Sequence, residues 1–318
     1  MPPDPTSDSN TVESAHDRDF FFFGVIDWHF RHQRPQQLAQ SIAQCGRRVY
    51  YVSVNFVESR EPGYVLEPLN PALQLFQVHF NVRGPLNVYT MQADAEQLLQ
   101  LKQGLRNLMC DIGCKRMVSV VQHPFWHRLA SNIPASRTIY DCMDHHAGFS
   151  NTAQEHTDLE HELMASVDLT IVTSDFLENY AKKGARRVEM IRNAAEFDHF
   201  HAALTLPAAN ATTPQRRKVI GYYGAIAEWF DAELLAMLAR RFPDCDIRLI
   251  GADSAGVGRA LKGLPNVTMY GEKPYSELPA WLGEFDVCLI PFRVNDLTLA
   301  TNPVKVYEYL SAGKPVVC

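Results

Sequence analysis

A chain of 318 residues with 46% hydrophobic and 21% charged residues exceeds a single core of about 100–200 residues, so two soluble globular domains are expected. A net charge of −6 argues against a nucleic-acid partner, and seven cysteines without one CxxC pair argue against a disulfide framework or a structural zinc site. No apolar run approaches the roughly 18 residues that cross a bilayer, so the expected location is cytoplasmic, at most peripheral to the inner face of the membrane.

Residues 1–19, polar and acidic, lack the basic start and apolar run of a signal peptide and read as a disordered tail. Short apolar runs then alternate with amphipathic stretches, the pattern of βα units that stack into parallel sheets. Strands are predicted at 20–26, 49–54, 72–78, 116–122, 137–141, 169–174 and 188–193. Helices are predicted from Pro35 to Cys45, closed by Gly46, and over 93–113, 155–167 and 176–184. The small, polar stretch 201–217 reads as a linker between an N-terminal domain (20–200) and a C-terminal one (218–318). The second half continues with strands at 219–224, 246–251, 266–271 and 286–292 and helices at 231–242 and 276–285. The expected class is therefore α/β, with two Rossmann-like, doubly wound domains facing a cleft at the carboxyl ends of their strands. "GADSAGVG" (251–258) lacks the G-x-G-x-x-G order, so a dinucleotide fingerprint is rejected.

The chain ends on "ATNPVKVYEYLSAGKPVVC", a helix of about two turns followed by a strand. Asn302 is placed to cap the helix, Pro303 suits its first turn, and Gly313 with Pro315 stops it. Lys305 and Glu308 lie about 60° apart around the axis and share a side. Lys305 in the first turn, beside unpaired backbone N–H groups, suits a diphosphate. Glu308, one turn deeper, suits the vicinal hydroxyls of a ribose. The alternative is a solvent-facing ion pair worth a few tenths of a kcal/mol.

"TNPVKVYEYLSAGKPVV" (301–317) resembles the donor-binding region of nucleotide-sugar glycosyltransferases of the GT-B fold, in the branch akin to family 4. Residues 220–251 and 264–298 resemble the rest of that donor domain, and "FFFGVIDWHFRHQRPQQLAQSIAQCGRRVYYV" with "RTIYDCMDHHAGF" resembles its acceptor domain. The resemblance implies transfer of a sugar from a nucleoside diphosphate sugar to a glycan or lipid-linked acceptor, in polysaccharide or lipid-linked glycan synthesis. No cofactor and no metal are expected. Two departures leave retention or inversion open. Ala300 stands where many retaining members carry a first glutamate, and the loop "GAIAEWFD" has no base, so the diphosphate must rely on Lys305, the helix end and the backbone around Gly224 and Ala225. By the same likeness the donor domain is incomplete at Cys318, and a truncated or partial chain is expected.

On the acceptor side, Asp141 and Asp144 follow a strand and are candidates for the general base, with Asp144 favoured because Asp141 abuts the strand. His123 follows another strand, and the resemblance implies that it contacts the sugar. Arg31 and Arg34 in "DWHFRHQRPQ" suit a phosphate held bidentately, or else a solvated loop. Trp28 and Phe30 suit an apolar acceptor rim or a satellite core. The rival readings are an epimerase or hydrolase of the same fold and a nucleotide-sugar-binding subunit without turnover.

Overall fold

A computed structural model describes residues 18–131, 133, 136–148, 154–204 and 216–318, so most of the expected tail and linker lie outside the described residues. The chain divides into two compact units, residues 1–28 with 35–140, and residues 29–34 with 141–318. Among the described residues, no helix is long and apolar enough to cross a membrane.

The first unit is built on strands β1 (Asp19–Phe23), β2 (Val49–Val52), β3 (Val57–Glu58), β4 (Tyr64–Asn70), β5 (Leu75–Val82), β6 (Met117–Val121) and β7 (Ser136–Cys142), which runs into the second unit. Its order is β3-β5-β2-β1-β6-β7, with each of these neighbours parallel and β4 antiparallel along β5. Four consecutive phenylalanines make β1 a central strand, covered on both faces as parallel sheets require. Phe21 pairs with Tyr50 on one side and with Ser119 on the other.

The predicted strand 20–26 stops at Phe23 because side chains capture the backbone that follows. The Trp126 indole donates to the Gly24 carbonyl at 2.8 Å, the Tyr89 hydroxyl to Val25 at 2.6 Å, and the Tyr51 hydroxyl to Ile26 at 2.8 Å. Trp28 packs edge-on against Tyr51 at 5.2 Å, in the core rather than at a rim, whereas Phe30 is exposed. Strand β4 has no counterpart in the prediction: it is a partly exposed edge strand carrying Pro68, where the register shifts. The strand expected at 72–78 begins only at Leu75, because Pro71–Leu73 form a 3₁₀ turn capped by the Asn70 side chain.

In the second unit, β8 (Leu169–Val172) pairs in parallel with β9 (Val188–Met190). A five-stranded parallel sheet runs in the order β12 (Val267–Met269), β11 (Cys245–Ile250), β10 (Lys218–Tyr223), β13 (Val287–Leu289) and β14 (Val316–Val317). One face packs under Tyr222, Phe230 and Leu235, the other under Tyr223, Phe285 and Tyr309. The helix Val304–Ser311 leads into β14. Gly313 ends it at φ 64, with its N–H on Leu310 O (2.9 Å) and that of Lys314 on Tyr309 O (3.0 Å). This is the glycine-terminated stop read from the sequence.

The carboxyl ends of β10 and β11 meet through glycine. Gly224 (φ 132) donates to Ile250 O at 2.8 Å, and a Cβ on Gly251 (φ 153) would lie 1.8 Å from the Gly224 carbonyl oxygen. Gly251→Ala is therefore expected to lose about 3 kcal/mol or more in urea unfolding. Gly263→Ala, at φ 88 with open space around it, should lose only about 1 kcal/mol.

Candidate functional site

Lys305 and Glu308 share the helix Val304–Ser311, yet no ion pair joins them. The Lys305 ammonium lies over the Phe292 ring at 5.3 Å and the Tyr222 ring at 5.8 Å. Glu308 is buried, and its Oε2 accepts from the Tyr223 hydroxyl at 2.7 Å. Aromatic walls thus hold the two charges to separate partners. Among the described residues, the Lys305 ammonium has no carboxylate within 4 Å. Burial lowers its pKa; Glu308 opposes that shift and the Arg31 guanidinium adds to it. Burial raises the Glu308 pKa, while the Tyr223 hydrogen bond and Lys305 hold it down. A shielded ammonium over aromatic rings, with no carboxylate in contact among the described residues, suits an anion in electrostatic terms.

Gly224 lets this cation in. A Cβ there would lie 2.8 Å from the Lys305 Cε and 3.2 Å from its Nζ. Ala225 follows, with its carbonyl taken by the Tyr222 hydroxyl at 2.7 Å. Both residues stand at the carboxyl end of β10, where open parallel sheets place their ligands.

The predicted cap at Asn302 is corrected by the structure. Pro303 occupies the capping position and no side chain caps the helix. The Asn302 Oδ1 instead accepts from the Asn193 N–H at 2.8 Å and the Tyr307 hydroxyl at 3.1 Å. First-turn N–H groups of an uncapped helix need acceptors from elsewhere.

Arg34 and Asp141 are brought together, and each is thereby removed from its expected task. Both are buried. Arg34 donates from Nη2 to Asp141 Oδ1 at 2.8 Å and from Nε to Oδ1 and Oδ2 at 3.0 and 3.2 Å. Its Nη1 reaches the Ile191 carbonyl at 3.0 Å and Asn193 Oδ1 at 3.2 Å. A guanidinium so occupied has no fork left for a phosphate, and both oxygens of the carboxylate are engaged by it. Asn193, which the sequence reading passed over, links this pair to Asn302; its only local signal is its place three residues after β9.

Asp144 differs. Burial, then the Asp141 charge, push its pKa up to about 6, with Arg34 opposing. Among the described residues, its carboxylate takes no hydrogen bond. That is the environment of a general base poised near neutrality. Arg31 stands at the surface, with Nε on Glu272 Oε1 at 2.7 Å.

His123 belongs to the first unit. Its Nδ1 accepts from the Phe125 N–H at 3.2 Å, capping the turn Pro124–Trp126, and its ring meets Tyr89 edge-on at 5.9 Å. An accepting Nδ1 places the neutral ring's proton on Nε2.

Residues 217–318 match the family described as Glycosyl transferases group 1. A putative teichuronic acid biosynthesis glycosyltransferase, TuaH of Bacillus subtilis (strain 168), is 26% identical over 210 residues, covering 61% of this chain and 53% of that protein. The chain thus spans about half the length of that relative. Sucrose-phosphate synthase from Thermosynechococcus elongatus is similar in structure, with a TM-score of 0.68 at 15% identity over 94% of this chain and 80% of that one. Anabaena Alr3699/HepE in complex with UDP and glucose gives 0.63 at 14% identity over 95% and 80%. These likenesses establish the fold, the GT-B α/β class expected from the sequence.

Asp141→Asn leaves a buried guanidinium without its counter-charge. The expected loss is about 3–5 kcal/mol in urea unfolding, and a loss below about 1 kcal/mol would show that the pair is solvated.

Proposed function

We propose that the chain is a glycosyltransferase that binds a nucleoside diphosphate sugar beside the helix Val304–Ser311 and moves the sugar to a hydroxyl acceptor. One observation carries the reading: Lys305 lies over aromatic rings rather than on Glu308, at an uncapped helix end and within the field of Arg31. That arrangement suits a diphosphate, and Glu308 suits the ribose hydroxyls. Gly224 and Ala225 bring backbone to the same place.

The step is a displacement at the anomeric carbon. The acceptor oxygen bonds to that carbon, the bond to the phosphate oxygen breaks, and its electron pair leaves with the diphosphate. Lys305 and the helix N–H groups stabilise the charge that gathers there. Asp144 receives the acceptor proton. The likeness to a protein of teichuronic acid biosynthesis supports a polysaccharide or lipid-linked glycan as acceptor. With this reading goes a cytoplasmic protein, peripheral to the inner face of the membrane.

Thermal shift across a panel of UDP- and GDP-linked sugars tests the donor site. One nucleotide class should stabilise the protein, and Lys305→Ala should weaken it by roughly tenfold or more. Unchanged binding in that variant would refute the assignment. Because Asp144 acts as its carboxylate, kcat/KM should rise with pH through about 6 and fall on acidification. Asp144→Asn should lower turnover by roughly 10²-fold or more while nucleotide binding persists. Full turnover in that variant would remove Asp144 from the chemistry.

A further inference from the structure

Tyr223 is the last residue of β10, and no local sequence pattern marks it as part of a site. It is buried, and its ring is fixed from several sides. Tyr309 meets it edge-on at 4.9 Å, and Phe200 lies parallel to it at 6.5 Å. The Tyr309 hydroxyl also accepts from the Tyr223 backbone N–H at 3.1 Å, which ties the strand end to the helix that carries Glu308. From this position the Tyr223 hydroxyl donates to Glu308 Oε2 at 2.7 Å. Among the described residues, it is the one hydrogen-bond donor to that carboxylate.

The bond does two things. It fixes the plane of the carboxylate by occupying Oε2, so Oε1 is the oxygen left for a ligand. It also favours the ionised form of an acid that burial disfavours. A carboxylate oriented by a single donor, with no ion pair to its neighbouring lysine, offers its remaining oxygen to hydroxyl hydrogens.

We propose that Tyr223 is a positioning residue that, through Glu308, makes the site select nucleoside diphosphates carrying both ribose hydroxyls over their deoxy counterparts. The inference rests on the reading of Glu308 as the ribose contact. It adds the device that gives this contact its discrimination. A tyrosine serving only as core packing would leave that discrimination untouched when its hydroxyl is removed, because phenylalanine keeps the ring.

The experiment is calorimetric titration of the full chain with UDP, GDP and their 2′-deoxy and 3′-deoxy analogues, across pH 5 to 8, for wild type, Tyr223→Phe, Glu308→Gln and Lys305→Ala. Wild type should prefer the ribonucleotide by roughly tenfold or more, the size of a hydrogen bond to a charged group. Tyr223→Phe should cut that preference to about threefold or less by weakening the ribonucleotide alone. Burial and the Glu196 charge push the Glu308 pKa up and Lys305 holds it down; without the Tyr223 bond it rises further, so whatever preference remains should disappear on acidification at a higher pH than in wild type. A wild-type ratio and pH profile in Tyr223→Phe would overturn the proposal. So would an equal loss of ribo- and deoxynucleotide affinity, which marks a purely structural role. Should Glu308→Gln keep the ratio while Lys305→Ala loses binding, the ribose assignment and this proposal both fall and the diphosphate site stands. If wild type binds none of the nucleotides, the donor reading itself fails and the proposal with it.

Discussion

The refusal of two opposite charges to pair is what the site depends on. On an exposed helix, a lysine and a glutamate three residues apart would meet for a gain of only a few tenths of a kcal/mol. Here Tyr222 and Phe292 hold the ammonium, Tyr223 holds the carboxylate, and each charge keeps its field. Holding half-shielded charges apart works against folding, and such local conflicts concentrate where a ligand resolves them. The rest of the second unit supplies the means. Both faces of the β10–β13 sheet are packed tightly enough to lock the aromatic rings, and the glycine at the end of β10 clears the space through which the lysine reaches.

Next to that site runs a chain of polar contacts whose members come from distant parts of the sequence. Asp141 holds Arg34, Arg34 reaches Asn193, and Asn193 grips Asn302 beside the helix. Asp144 lies within the field of the first two. Two carboxylates three residues apart thus acquire opposite characters: one is neutralised by a guanidinium and the other is raised toward neutral pH. Environment, not residue type, sets the two carboxylates apart.

Periodicity was enough to read the alternating strands and helices, because parallel strands covered on both faces appear as unbroken apolar runs and glycines mark their ends. Residues 301–317 were the most informative stretch: the helix, its glycine stop and the following strand are all where the pattern put them. Other features stayed hidden for definite reasons. Strand β4 is a proline-bearing edge whose hydrogen bonds depend on β5. The partner of Arg34 is 107 residues away, and a loop arginine carries no local sign that it is buried. Asn302 has the side chain of a cap, but Asn193 and Tyr307 compete for its oxygen. Tyr223 lies unremarked in the predicted strand 219–224, and only the tertiary contact with Glu308 distinguishes it.

The short segment His29–Arg34 lies early in the chain but belongs to the second compact unit, anchored there by Arg34 on Asp141 and Arg31 on Glu272. The genetic order and the physical modules therefore disagree. A recombinant piece opening at Asp141 would carry a naked acid in its interior, its basic mate left behind on the discarded front half. Hybrids that exchange rear halves between relatives must transplant this six-residue patch as well, so evolution by shuffling would have had to treat two distant stretches as a single inherited part.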